Sequence, residues 1–137
     1  MDSTDYGFLT AARFFFLAFS GLDHSAWVAA ILGGESFFPG EHSAEKMRRA
    51  LAVVHEMCCA RVSCFHFSNP RCAKCATVVT HHESYLLQIV QNARRGQTSR
   101  AIAIAMMLCE GNDIDAVISA AQGFAELVPS GAPLVQA

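Results

Sequence analysis

The sequence predicts an all-α protein, a single compact domain of five or six helices with a Cys-rich metal-binding loop between two central helices. Three observations carry this. Apolar residues recur at intervals of three and four through most of the chain, and the recurrent stretches are separated by Gly, Pro, Ser, Thr, Asn and Asp at positions that start or stop helices. Strand-like alternation is confined to Arg61–Phe67, which reads as one short strand if it forms at all. The length of 137 residues suits one domain, and a content of 53% hydrophobic against 16% charged residues excludes intrinsic disorder. So apolar a chain is expected to keep part of its surface for a subunit contact, and a homo-oligomer, a dimer in the simplest case, follows as an expectation.

The elements are read in order. Ser3 and Thr4 are capping residues for a helix from Thr4 to Phe19, in which Leu9, Ala12, Phe16 and Phe19 form one stripe and Phe14 and Phe15 widen it. Three successive phenylalanines overfill one narrow face, which favours assembly. Asp23 caps a short helix through Ile31, stopped by Gly33 and Gly34, and Glu35–Gly40 reads as a loop. Ser43 caps a helix from Ala44 to Ala60 whose buried face is Met47, Ala50, Leu51, Val54 and Met57 or Cys58. Val62–Arg71 is the irregular connection. Asn69 as cap and Pro70 at the first position place the next helix over Cys72–Arg95, ended by Gly96. Thr98 or Ser99 opens an almost wholly apolar helix, Ala101–Cys109, expected to be buried on all sides or shared with another subunit. Asp113 opens the last helix, to Val128, which makes 1–128 the domain and 129–137 a loose tail.

The formal net charge of −2 hides a pattern. Residues 1–45 carry Arg13 against six acids, residues 46–100 carry nine bases against Glu56 and Glu83, and residues 101–137 carry four acids and no base, giving −5, +7 and −4. The simplest consequence is that the basic middle is neutralised by the acidic ends, within the fold or across a subunit contact. The alternative is a phosphate-binding surface, for which Arg94, Arg95 and Arg100 around the turn Arg94-Arg95-Gly96-Gln97-Thr98-Ser99-Arg100 are the candidate nucleic-acid contacts.

Five of six cysteines fall within 18 positions, as Cys58-Cys59-x4-Cys64-x7-Cys72-x2-Cys75. With no basic leader ahead of the first apolar run and no apolar stretch of spanning length, a reducing cytoplasmic setting and no membrane association are expected, where clustered thiols bind metal or act in redox chemistry. Zinc asks for four tetrahedral sulfur or nitrogen ligands, and a Cys-x2-Cys pair supplies two on one face. The predicted ligands are Cys59, Cys64, Cys72 and Cys75, with Cys58, His55 and His66 as alternates. An iron–sulfur cluster or reversible thiol chemistry is the other use of the same set. Cys109, inside an apolar run, reads as a packed core residue.

No glutamate has a histidine three residues later, as carboxylate-bridged iron would want, and there is no phosphate-binding glycine loop, His-Glu-x-x-His or Gly-x-Ser-x-Gly. An enzyme is therefore the less favoured class. The sequence is read as a small cytosolic zinc-binding helical protein acting as a homo-oligomeric regulatory or protein-interaction module with a structural metal. A nucleic-acid-binding regulator using segment 46–100 is the first alternative and an iron–sulfur or thiol-redox protein the second.

Overall fold

The computed structural model describes residues 1–21, 25, 28, 32 and 34–129, and these are all-helical, without a strand. Five helices carry the architecture: α1 (Ser3–Phe19), α3 (Ser43–Ala60), α4 (His81–Arg94), α5 (Thr98–Leu108) and α6 (Asp115–Leu127), with a four-residue helix α2 (Gly34–Phe37) between the first two. α3 and α4 both pack against α6, α4 also lies along α5, and α1 crosses α2, α3 and α4. Phe8 of α1, Phe38 and Phe124 of α6 meet at the centre with ring centroids 5.6 Å apart, and Met57, Val53, Leu86, Ile89, Leu108 and Val117 are among the fully buried side chains around them. Burying one such side chain stabilises the fold by about 1.5–3 kcal/mol. No helix among the described residues is long and apolar enough to cross a membrane.

α1 starts one residue early, because Asp2 is its cap and forms a reciprocal capping box with Asp5. The three phenylalanines are all met inside the chain, which removes them as an argument for assembly. Phe14 stacks on Phe37 at 6.0 Å, Phe15 on Phe19 at 5.8 Å, and Phe16 on Phe65 at 4.3 Å. Gly7 makes this crossing possible: a Cβ there would stand 2.0 Å from the Phe37 carbonyl oxygen. Apart from Ser25 and Val28, the expected Asp23–Ile31 helix lies outside the described residues, as does most of the tail. The expected loop Glu35–Gly40 begins within α2.

α3 begins at Ser43, after His42 in the left-handed region (φ 61°), and not at an Ser43 cap. Its buried positions are Met47, Ala50, Val53, Val54 and Met57. Arg61–Phe67 is an irregular segment and forms no strand. The largest correction is at α4, which starts at His81 and not at Cys72. Thr80 and Glu83 form a capping box there, while Val78 and Val79 before it are β-branched and non-helical. Cys72 and Cys75 thus sit in a loop with one tight 3₁₀ turn, Cys75–Thr77, rather than at a helix start. α5 is not buried all round: Ala101, Ala105 and Leu108 face the core, and Ile102, Met106 and Met107 are exposed.

Part of the charge pattern is met by ion pairs within the fold. Arg94 of the basic middle, its side chain 5% exposed, contacts Asp5 at 2.9 Å and Asp2 at 3.2 Å in the acidic N-terminal segment, and donates to the Val128 carbonyl at 2.7 Å. Arg49 reaches Glu45 at 2.8 Å and Glu126 of the acidic C-terminal segment at 3.4 Å, and Arg48 also pairs with Glu45.

Candidate thiol site

The loop between α3 and α4, residues 61–80, is held by its flanks at both ends. Arg61 at its start donates to the Leu108 carbonyl at 2.5 Å and the Cys64 carbonyl at 3.0 Å. Glu110 accepts the amides of Val62 and Ser63, at 2.6 and 3.2 Å. These bonds to a fully exposed carboxylate, with the Ser63 hydroxyl first among them, bring its pKa down to about 2.

At the other end the anchor is an ion pair between α1 and α4. Arg13 Nε lies 2.7 Å from Glu83 Oε2, with side chains 6% and 1% exposed. The pair is fully employed. Arg13 also donates to the carbonyls of Ala76 (2.8 Å) and Val78 (2.9 Å), while Glu83 accepts from the Ser68 and Thr80 amides at 3.1 and 3.0 Å. The Ser68 hydroxyl closes on the Val78 carbonyl. A buried charge pair persists when its remaining donors and acceptors are satisfied in this way. Neither residue stood out in the sequence, although Arg13 is the only base in the first 45 residues and Thr80-x-x-Glu83 is a capping-box pattern.

On this base stand Cys72, half-buried, and Cys75, exposed. The Cys72 amide donates to the Asn69 carbonyl and the Cys72 carbonyl accepts from the Ala76 amide at 2.9 Å, which folds the chain so that the Cys75 amide points at Cys72 Sγ, 3.3 Å away. The two thiols are driven apart in acidity. A hydrogen bond from the Cys75 thiol, with the Cys75 and Lys74 amides behind it, lowers the pKa of Cys72, and giving that hydrogen bond raises the pKa of Cys75. Stabilisation of a thiolate by neighbouring donors is what makes one cysteine of a Cys-x2-Cys pair nucleophilic.

The other predicted ligands lie in separate places. Cys59 is exposed on α3 with its Sγ 3.6 Å from His55 Nε2. Cys64 is exposed in the first half of the loop, and Cys58 is half-buried with its thiol pushed up to about 11 by burial. The His66 amide donates to His82 Nδ1 at 2.8 Å, the rings 4.9 Å apart. Among the described residues no three His, Cys, Asp or Glu side chains converge into a group that would hold a metal ion. Of the candidate nucleic-acid contacts, Arg95 and Arg100 are exposed, whereas Arg94 is buried against Asp2 and Asp5 and faces inward. That burial comes from the acidic N-terminal turn, which the local sequence around Arg94 does not reveal.

Fold and site together define a small all-α protein presenting two cysteine thiols on a loop tied down at both ends. Comparison with protein-family models, with curated proteins and with solved structures finds no match to this chain.

Proposed function

We propose that this chain is a small helical dithiol module, acting through reversible thiol–disulfide exchange at Cys72 and Cys75. The observation that carries the reading is geometric: two thiols three residues apart on an anchored loop, Cys75 exposed and Cys72 half-buried, with the Cys75 amide donating to Cys72 Sγ at 3.3 Å, which favours Cys72 as the thiolate. In the exchange, the Cys72 thiolate attacks one sulfur of a partner disulfide, forms a mixed disulfide and releases the partner's other sulfur as a thiolate. Cys75 then gives up its proton and attacks Cys72 Sγ. The second partner thiolate leaves, the partner has gained two electrons, and Cys72–Cys75 has become a disulfide. The exposed Ile102, Met106 and Met107 of α5 support a role in binding another protein. Equilibration with a glutathione redox buffer, followed by alkylation and mass spectrometry, is expected to show a Cys72–Cys75 disulfide before any other pair. An oxidised chain with both cysteines still alkylatable rejects the reading.

Zinc is a second reading, supported by the Cys72-x2-Cys75 spacing, which can offer two sulfur ligands. A tetrahedral ion held by Cys72 and Cys75 has two positions open, and the same pair of a second copy would fill them. Such a zinc would join two chains rather than two helices. The expected result is one zinc per two chains and a dimer by light scattering. One zinc per chain would instead require Cys59 and Cys64 to move onto the pair, and a metal-free monomer after purification without chelators rejects zinc altogether.

A further inference from the structure

A second site lies on the α3 side of the loop, away from the dithiol. Phe16 and Phe19 of α1 and Phe65 and Phe67 of the loop wall a cavity of about 340 Å³, with Cys58 and Arg61 also lining it and Ser63 exposed at its edge. Its volume falls within the range of small-molecule sites, about 300–1,000 Å³. The walls are aromatic and fixed, since Phe65 stacks on Phe16 at 4.3 Å and Phe67 meets the same ring at 5.5 Å. The Cys58 thiol, raised by burial, adds no charge at neutral pH.

Among the described residues Arg61 is the one permanent charge lining this cavity, and it is incompletely satisfied. Its Nη1 and Nη2 are taken by the Leu108 and Cys64 carbonyls, but Nε is buried and has no hydrogen-bond partner. Glu110 acts on Arg61 through its charge but gives Nε no hydrogen bond, and its Oε1 accepts the Val62 and Ser63 amides. Buried donors in folded proteins are nearly always paired, and a guanidinium stays protonated at any physiological pH. We infer that this cavity binds a small apolar carboxylate, a medium-chain or aromatic acid, with its hydrocarbon among the four phenylalanines and its carboxylate drawn to the positive charge of the Arg61 guanidinium.

The site is independent of the dithiol, and its test leaves Cys72 and Cys75 in place. The reduced full chain is titrated calorimetrically with octanoate, octanol and octylamine, three probes with one apolar body and different heads. Octanoate is expected to saturate one site per chain and to bind about tenfold tighter than octanol, with octylamine weakest. Ser63→Trp fills the edge of the cavity from an exposed position, and is expected to abolish binding while the chain stays folded, with a small fall in the thermal midpoint from the lost Ser63 hydroxyl bond to Glu110. Arg61→Met is expected to erase the preference for octanoate over octanol. Absence of saturable octanoate binding, octylamine binding as tightly as octanoate, or unchanged affinity in Ser63→Trp overturns the inference. If Arg61→Met does not fold, the head-group series and Ser63→Trp decide.

Discussion

Cys72 and Cys75 are chemically identical side chains set apart by one hydrogen bond. The thiol of Cys75 donates it and the sulfur of Cys72 receives it, so the acidity of one rises at the expense of the other. Alkylation of Cys72 followed against pH is therefore expected to reach half its limiting rate below the ordinary thiol value of 9.0, and Cys75→Ala, which removes the donor, is expected to move that midpoint upward. An unmoved midpoint would mean that the backbone amides alone set Cys72. Arg13 and Glu83 make the companion case at the base of the loop. Arg13→Met leaves the Glu83 carboxylate buried without its cation, and a loss of about 3–5 kcal/mol by urea denaturation is expected. Arg13→Met combined with Glu83→Leu is expected to recover part of that loss, since the uncompensated charge is gone. The thiol pair was legible from its spacing alone. The ion pair beneath it was not, because its partners are 70 positions apart and each looks ordinary in its own segment.

The helices divide into those that local pattern specifies and one that a distant contact decides. α1, α3, α5 and α6 follow apolar periodicity, and their ends fall within a few residues of where capping residues put them. The start of α4 was misread because two N-terminal signals compete in one stretch, Asn69-Pro70 and Thr80-x-x-Glu83. Arg13 settles the competition by holding the carbonyls of Ala76 and Val78 in a non-helical path, a contact from α1 that no local window contains. Thr80→Ala is accordingly expected to destabilise the protein by about 1 kcal/mol, and to lower the hydrogen-exchange protection of the first turn of α4 before that of other helices. At the crossing of α1 with α2, Gly7→Ala drives a methyl into the Phe37 carbonyl, and a loss of about 1–3 kcal/mol in denaturant titration is expected. A neutral outcome there would show that α2 shifts freely away from α1.

Across the whole molecule, the −5, +7 and −4 segments become a set of ties from the basic middle to both acidic ends, with Arg94 reaching Asp2 and Asp5 and Arg49 reaching Glu126. Glu45 and Glu110 are each lowered to about 2, by hydrogen bonds from Arg48 and Arg49 and from the Val62–Ser63 strap. Asp2 is lowered too: burial pushes it up, but the Asp5 amide and the Arg94 guanidinium outweigh that. Carboxylates depressed on folding stabilise the protein above their unfolded values of 4.5 and 3.8, and that contribution fades as pH falls toward 2. A thermal midpoint that holds from neutrality to about pH 5 and then declines is expected; a decline already complete at pH 5 contradicts these ties. Arg61, Glu110 and the Arg13–Glu83 pair anchor the loop that carries the two sulfurs, Cys72 and Cys75. The most direct test of exchange at these sulfurs is mass spectrometry of the alkylated chain after equilibration in glutathione buffers of rising oxidised fraction. A Cys72–Cys75 disulfide is expected to form first and to reverse with dithiothreitol, while Cys58, Cys59, Cys64 and Cys109 remain as thiols. Cys72 and Cys75 still alkylated after another pair has oxidised would contradict it.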